Sequence, residues 1–167
     1  VVLMLSTSTV FAQKFGRVDL MAVLTNMPEY KEAQTNLEAY GKDLQNQLEQ
    51  IMVEYNKLYT EYEKNAATLT DSVRQLKERE IMEIQQRYTD FQQIAQQDFQ
   101  KKEAELIEPV QKKANDAVNK VAKAAGYIAV FNTSVPSLAY FDEAQLTDIA
   151  AAVKKELGIV DKPAATK

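Results

Sequence analysis

The sequence contains no cysteine and no histidine, and only 4 Gly and 4 Pro punctuate its 167 residues. Without Cys or His there are no disulfides, thiolate nucleophiles, imidazole bases or customary zinc ligands. Metal or acid–base chemistry would therefore rest on carboxylates alone. The shortage of Gly and Pro favours long, unbroken elements. A basic surplus is missing too: the net charge is −4, which argues against nucleic acid as the main partner, because the phosphate backbone calls for a positive surface. What is present is 46% hydrophobic beside 26% charged residues, the balance of an amphipathic, mostly helical protein.

The stretch "VVLMLSTSTVFAQ" reads as the tail of a secretory signal peptide, cleaved near Ala12/Gln13, with small or medium residues at the positions before the cut. A membrane anchor is the alternative, but the apolar run is far shorter than the ~20 residues a helical span requires. The expected location of the mature chain, from Gln13, is outside the cytoplasm.

From Tyr30 the apolar residues keep a regular step through Ala33, Leu37, Tyr40, Leu44, Leu48, Ile51, Tyr55, Leu58, Tyr62, Ala66, Leu69, Val73 and Leu76: 46 residues in 13 steps, a mean of 3.54. That value lies between a heptad and a hendecad repeat and marks a coiled-coil seam. A looser run follows at Ile81, Ile84, Tyr88, Phe91, Ile94 or Ala95, Phe99, Leu106, Val110, Ala117 and Val121. Between them "NAATLTDSVRQ" has lower helix propensity, and Asp71 or Ser72 is placed to cap a new helix, with Gln75 three residues after Ser72 as in a capping box. The expectation is an antiparallel helical hairpin over 28–125 with its turn near 65–72, bent near Pro109, whose ring removes an amide donor.

The segment "GYIAVFNTSVPSLAYFD" breaks this pattern. It alternates and branches like a short β-hairpin, with strands at Tyr127–Asn132 and Leu138–Phe141 around a Ser/Pro turn. Gly126 is a natural helix terminator that delivers the chain into the first of these, beside a further short strand over Phe15–Leu20. A sheet so small has open edges and little buried area. Pooling strands from several chains is the simplest remedy, so 13–27 and 126–159 are expected to form a β-containing oligomerisation body. Val18, Ile128, Val130, Phe131, Leu138 and Tyr140 are its candidate residues, and 160–167 a disordered tail. A monomeric domain with a dangling coiled coil is the alternative.

From Gln13 to about Ile159 the chain resembles the Skp (OmpH) family of periplasmic chaperones. The resemblance rests on the exported start, "GRVDL", the helical arms, "EPVQKKANDAVNKVAKAAGY", "IAVFN", "LAYFD" and the closing helix "DIAAAVKKELG". In the last, Asp148, Ile149 and Val153 match the family's D-I-T-x-x-V pattern, while Ala150 stands where the family has Thr. The resemblance implies a homotrimer in which a shared β body carries three helical hairpins around a cavity. It also implies a periplasmic location and unfolded outer-membrane β-barrel proteins as clients, held without ATP. None of the matching motifs is catalytic, and no cofactor or metal is implied.

Met52 and Tyr59, seven apart and off the seam, form a second line beside Tyr55 and Tyr62, with Tyr88 and Phe91 at nearly the same height on the partner helix. Met adapts its shape and Tyr offers apolar area with a polar tip, which suits unselective client contact. Hairpin core is the alternative for such residues. From Met27 to Glu108 there are 10 Lys/Arg against 17 Asp/Glu, a net −7, so the arms are acidic, unlike those of the best-known member of the family. Arg74, Lys77 and Arg79 are the exception, a basic patch for anionic lipid or an acidic client loop, with at most peripheral membrane contact; a solvated face is the alternative. The competing functional class is a structural coiled-coil scaffold or tether of the envelope. An enzyme would need a constellation of groups, and carboxylate pairs such as Glu54 with Glu61 lie among Lys and Gln with no sign of a pocket.

Overall fold

The computed structural model describes residues 13–135 and 140–159. The expected signal peptide, the tail beyond 159 and Leu138 lie outside the described residues. Strand β1 (Phe15–Val18) leads into the short helix α1 (Leu20–Leu24); the long helices α2 (Pro28–Asn65) and α3 (Asp71–Ala124) follow, then β2 (Ala129–Asn132), β3 (Thr147–Asp148) and α4 (Ala150–Glu156). The fold is thus mainly helical with a small three-stranded sheet. The chain divides into two compact units: one takes residues up to Lys31 and from Pro109 onward, the other Glu32–Glu108.

In the first unit the sheet order is β2-β1-β3 and both pairings are parallel, with Phe15 opposite Ala129 and Gly16 opposite Thr147. This corrects the expected β-hairpin. At the end of β2 the side-chain Oδ1 of Asn132 accepts from the backbone N–H of Ser134 at 3.0 Å and of Leu20 at 3.3 Å. That ties the end of β2 to the start of α1. Tyr140 and Phe141 carry no strand, and the third strand is instead Thr147–Asp148, in the stretch read as the opening of the closing helix.

The helices of this unit end as their sequences suggest. Gly126 has φ 71°; its N–H donates to Lys123 O, and that of Tyr127 to Ala122 O, the Schellman pair that satisfies the last carbonyls of a helix. Asp19 caps α1 by accepting from Ala22 N–H at 2.9 Å. Two apolar clusters form the interior: Val18, Val23, Ala117, Ile149 and Val153, with Tyr127 and Val130 packed on them, and Leu24, Met27, Val110 and Ala114, with Tyr30 and Leu157. Gly16 sits close to this packing: a Cβ there would lie 3.2 Å from the Tyr127 ring, so the ring would have to shift by a few tenths of an ångström.

In the second unit α2 and α3 present matching stripes. Ala33, Ile81, Ile84 and Ala95 are buried, and Leu37, Leu44, Leu48, Ile51, Tyr55, Leu58, Tyr62, Tyr88, Phe91 and Phe99 are half-buried. Of the pair Ile94 or Ala95, Ala95 is in the seam and Ile94 is exposed. The register is antiparallel: Tyr62 bonds Glu78 and Tyr55 bonds Gln85, so seven residues back along α2 match seven forward along α3.

The break between the helices resets the helical phase. Val73 and Leu76, expected as seam, are exposed, Leu76 at 51%, and Arg74 and Lys77 take the half-buried positions in their place. Long basic stems can cover apolar surface while their heads stay wet. The cap also differs from expectation. Asp71 is the first helical residue of α3, and the carbonyl of Thr70 accepts from Arg74 N–H at 2.9 Å.

Candidate functional site

The groove between α2 and α3 has two unlike flanks. On one, Met52 and Tyr55 of α2 meet Ile84, Gln85, Tyr88 and Thr89 of α3 around an open depression of about 250 Å³. Heptad spacing puts Tyr55 and Tyr62 above one another on α2, and Tyr59 stacks on Tyr55 with ring centroids 5.8 Å apart. The polar tips are held within the flank. Gln85 Nε2 donates to the Tyr55 hydroxyl oxygen at 3.0 Å, and the Tyr62 hydroxyl donates to Glu78 Oε1 at 2.6 Å. Hydrogen bonding to Glu63 raises the Tyr59 hydroxyl above its ordinary pKa, and the Glu78 bond does the same for Tyr62, because a neighbouring carboxylate disfavours a phenolate. What remains open is apolar: Met52 and Tyr59 are exposed, and so is Met82, at 59%.

The other flank is ionic. Glu54, Leu58, Glu80, Glu83, Ile84 and Arg87 line it, with Arg87 paired to Glu54 and Lys77 to Glu80 at 2.7 Å. Phe91 lies further along this side, in a shallow recess with Glu83, Gln86, Arg87, Asp90 and Ile94.

Of the six residues singled out from the sequence, the structure therefore gathers Met52, Tyr55, Tyr59, Tyr62 and Tyr88 along one flank and puts Phe91 on the other. Met82 was missed. It lies off both seams, and the register sets it between Glu78 and Gln85, which bond Tyr62 and Tyr55 of α2. The basic patch is divided: Arg74 pairs with Asp71 at 3.8 Å, Lys77 with Glu80, and Arg79 is exposed.

A sequence profile of the family described as outer membrane protein (OmpH-like) matches residues 14–157. The chain belongs to the OmpH-like family. Among solved structures, that of a candidate outer membrane chaperone (OmpH-like) from Caulobacter crescentus CB15 is similar, with a TM-score of 0.74 at 12% identity, over 87% of this chain and 84% of that one. At such identity the likeness speaks for the fold. No curated protein matches the sequence significantly.

This OmpH-like chain departs from the family pattern at Ala150, and the structure supplies a substitute for the absent hydroxyl: Asp148 Oδ1 accepts from Ala150 N–H at 2.9 Å. Asp148 also joins Glu143 in flanking Arg17, at 3.8 and 3.6 Å, which fastens β3 to β1. Of the residues expected to form an oligomeric body, Val18 is buried and Val130 and Phe131 are half-buried, the last with its ring 6.3 Å from that of Phe15. Ile128 and Tyr140 stand open at 62% and 83%. No helix of the described residues is long and apolar enough to cross a membrane.

Proposed function

We propose that this OmpH-like protein is an ATP-independent holdase of the periplasm, a homotrimer that shelters unfolded outer-membrane β-barrel proteins between its helical arms and keeps them from aggregating. The observation that carries the reading is the Met52/Tyr55/Tyr59/Met82 flank. It is apolar and open on a long helical hairpin, and its polar tips are already bonded within the flank. An unfolded membrane protein exposes apolar strand faces and unpaired edges in water. Weak contacts repeated over several arms cover them without any tight pocket, and Met and Tyr side chains repack against varied sequences.

Support for a trimer is of the same kind. The sheet has two four-residue strands and one of two residues, all parallel; parallel sheets are ordinarily covered on both faces. Ile128, Met21, Val135 and Tyr140 are exposed in the same unit, apolar area that partner chains would remove from water. The deciding experiment dilutes a denaturant-unfolded outer-membrane β-barrel protein into buffer without nucleotide and follows light scattering, while native mass measurement counts subunits and bound client. Scattering should fall to baseline at one trimer per client. Unchanged scattering would sink the reading and leave the envelope scaffold or tether.

A further inference from the structure

The carboxylates of the two flanks are in opposite states. On the ionic flank Glu54 is matched by Arg87 and Glu80 by Lys77. On the apolar flank Glu63 and Glu78 are held by the hydroxyls of Tyr59 and Tyr62, and among the described residues neither makes an ion pair. A phenol neutralises no charge, and a carboxylate has about four lone-pair sites, of which one hydroxyl occupies one. Two negative charges thus border the exposed apolar strip with acceptor capacity to spare. The whole unit shares the sign: Glu32–Glu108 carries 9 Lys/Arg against 16 Asp/Glu, a net −7.

We infer that the Met52/Tyr55/Tyr59/Met82 flank receives unfolded polypeptide segments that present apolar side chains and Lys or Arg on the same face, and rejects segments that carry Asp or Glu in place of those cations. The inference rests on the holdase reading and names the class of client segment. In an extended segment successive side chains point to opposite sides, so residues two and four apart share the face laid on the flank. On that face apolar side chains can settle on Met52 and Met82 while cations further along reach Glu63 and Glu78. Lys or Arg also gains from the faces of Tyr55 and Tyr59, whose rings attract a cation within about 6 Å. An acidic segment meets repulsion instead, from two carboxylates without an ion-pair partner, only partly offset by Arg74 near Tyr62, and from the field of the unit behind them.

The test uses the full chain and two unstructured labelled peptides, identical except that one carries Lys wherever the other carries Glu, with binding read by fluorescence anisotropy. At low salt the Lys peptide should bind at least about tenfold more tightly, and the gap should close at high salt, where exposed charges are screened beyond a few ångströms. Glu63→Gln with Glu78→Gln should shrink the preference several-fold, whereas Glu80→Gln with Glu83→Gln, the same change in net charge on the ionic flank, should leave it. Helical circular dichroism confirms that both variants fold. Equal binding of the two peptides, or tighter binding of the Glu peptide, while light scattering of an unfolded outer-membrane protein is still suppressed, would overturn the charge selection and leave the holdase reading intact. Equal effects of the two double variants would overturn its assignment to this flank. Failure to bind either peptide together with failure to suppress scattering would remove both.

Discussion

Gly41 of α2 lies directly against the ring of Phe99 of α3: a Cβ on Gly41 would stand 3.0 Å from Phe99 Cε2. Glycine in mid-helix ordinarily costs about 0.5–1 kcal/mol relative to alanine, and here the close approach of the aromatic ring accounts for it. The pair should be coupled. In a Phe99→Leu background, Gly41→Ala should raise stability by roughly 0.5–1 kcal/mol, while in the wild type the same change should give no gain or a loss. Urea unfolding of the four proteins, followed by helical circular dichroism, measures the coupling; additive effects would mean that the ring does not meet the backbone.

The antiparallel register predicts which deletions the arm tolerates. Tyr62 faces Glu78 and Tyr55 faces Gln85, so removing one heptad from each helix, residues 56–62 with 78–84, keeps both stripes in step. That variant should remain helical and assembled. Deleting only 56–62 should slide every later contact out of register and lower the melting temperature sharply. Similar melting for the two would contradict the pairing of α2 with α3.

Two neighbouring residues of the first unit should respond differently to a buried charge. Val130 packs on the Val18/Val23 cluster, so Val130→Asp should destabilise the unit by on the order of 2–4 kcal/mol. Ile128 is exposed, so Ile128→Asp should leave the secondary structure intact and abolish self-association. Sedimentation and circular dichroism on both variants separate the outcomes, and an Ile128→Asp protein that sediments as a trimer would refute an interface at that residue.

The perturbed groups give each unit a pH-dependent contribution to stability. A raised Tyr62 pKa means that its contribution is complete below the unfolded value of 10.0 and is lost as pH climbs through the higher folded value. Above pH 10 the wild type should therefore lose stability more steeply than Tyr62→Phe. Glu29 has the opposite sign: its hydrogen bond from Lys113 lowers its pKa below 4.5. Its contribution is present above that value and disappears as pH falls through the lower one. The pair is exposed, so the effect is less than about 1 kcal/mol. Glu29→Gln should flatten the acid limb of a urea-midpoint profile, and identical acid limbs would rule the contribution out.

Client contact by apolar area makes a separate forecast. Met52→Ala with Tyr59→Ala removes exposed surface that would be covered at about 25 cal/mol per Å², so client retention should weaken in a way that salt does not reproduce. Unchanged retention in a folded double variant would place the client elsewhere.

The long helices and the small sheet were legible because periodicity is a property of the chain itself. Leu44, Leu48, Ile51 and Leu58 announce a stripe before anything packs on it. The pairing of β2 was not legible. Val130 and Phe131 suit a strand in either direction, and what decides is the parallel partner β1, more than a hundred residues away in sequence. The phase of α3 was lost for a similar reason. Val73 continues the step from Leu69 on paper, but five residues of non-helical backbone, 66–70, intervene, and Arg74 inherits the seam. In the candidate site the Tyr positions could be read from heptad spacing. Met82 acquires its meaning only from the register across the groove, and Phe91 is carried to the ionic side by the same geometry.

The parallel pairing of β1 with β2 also dictates an order of events during folding. Strand β1 precedes both long helices, yet both of its sheet neighbours lie beyond α3, so it must wait through more than a hundred residues without a partner. Closing a loop of that length as free coil would cost about 4 kcal/mol in chain entropy. The helices avoid most of that expense, since their contacts nearest the turn at 66–70 are local in sequence and can form first. Zipping from that turn brings successively earlier residues of α2 to later ones of α3 until Glu29 reaches Lys113, and Phe15 then needs only a short search to find Ala129. The paired helices thus act as a folding jig for the sheet, and a chain truncated before β2 would carry a completed hairpin with an unpaired strand at its end.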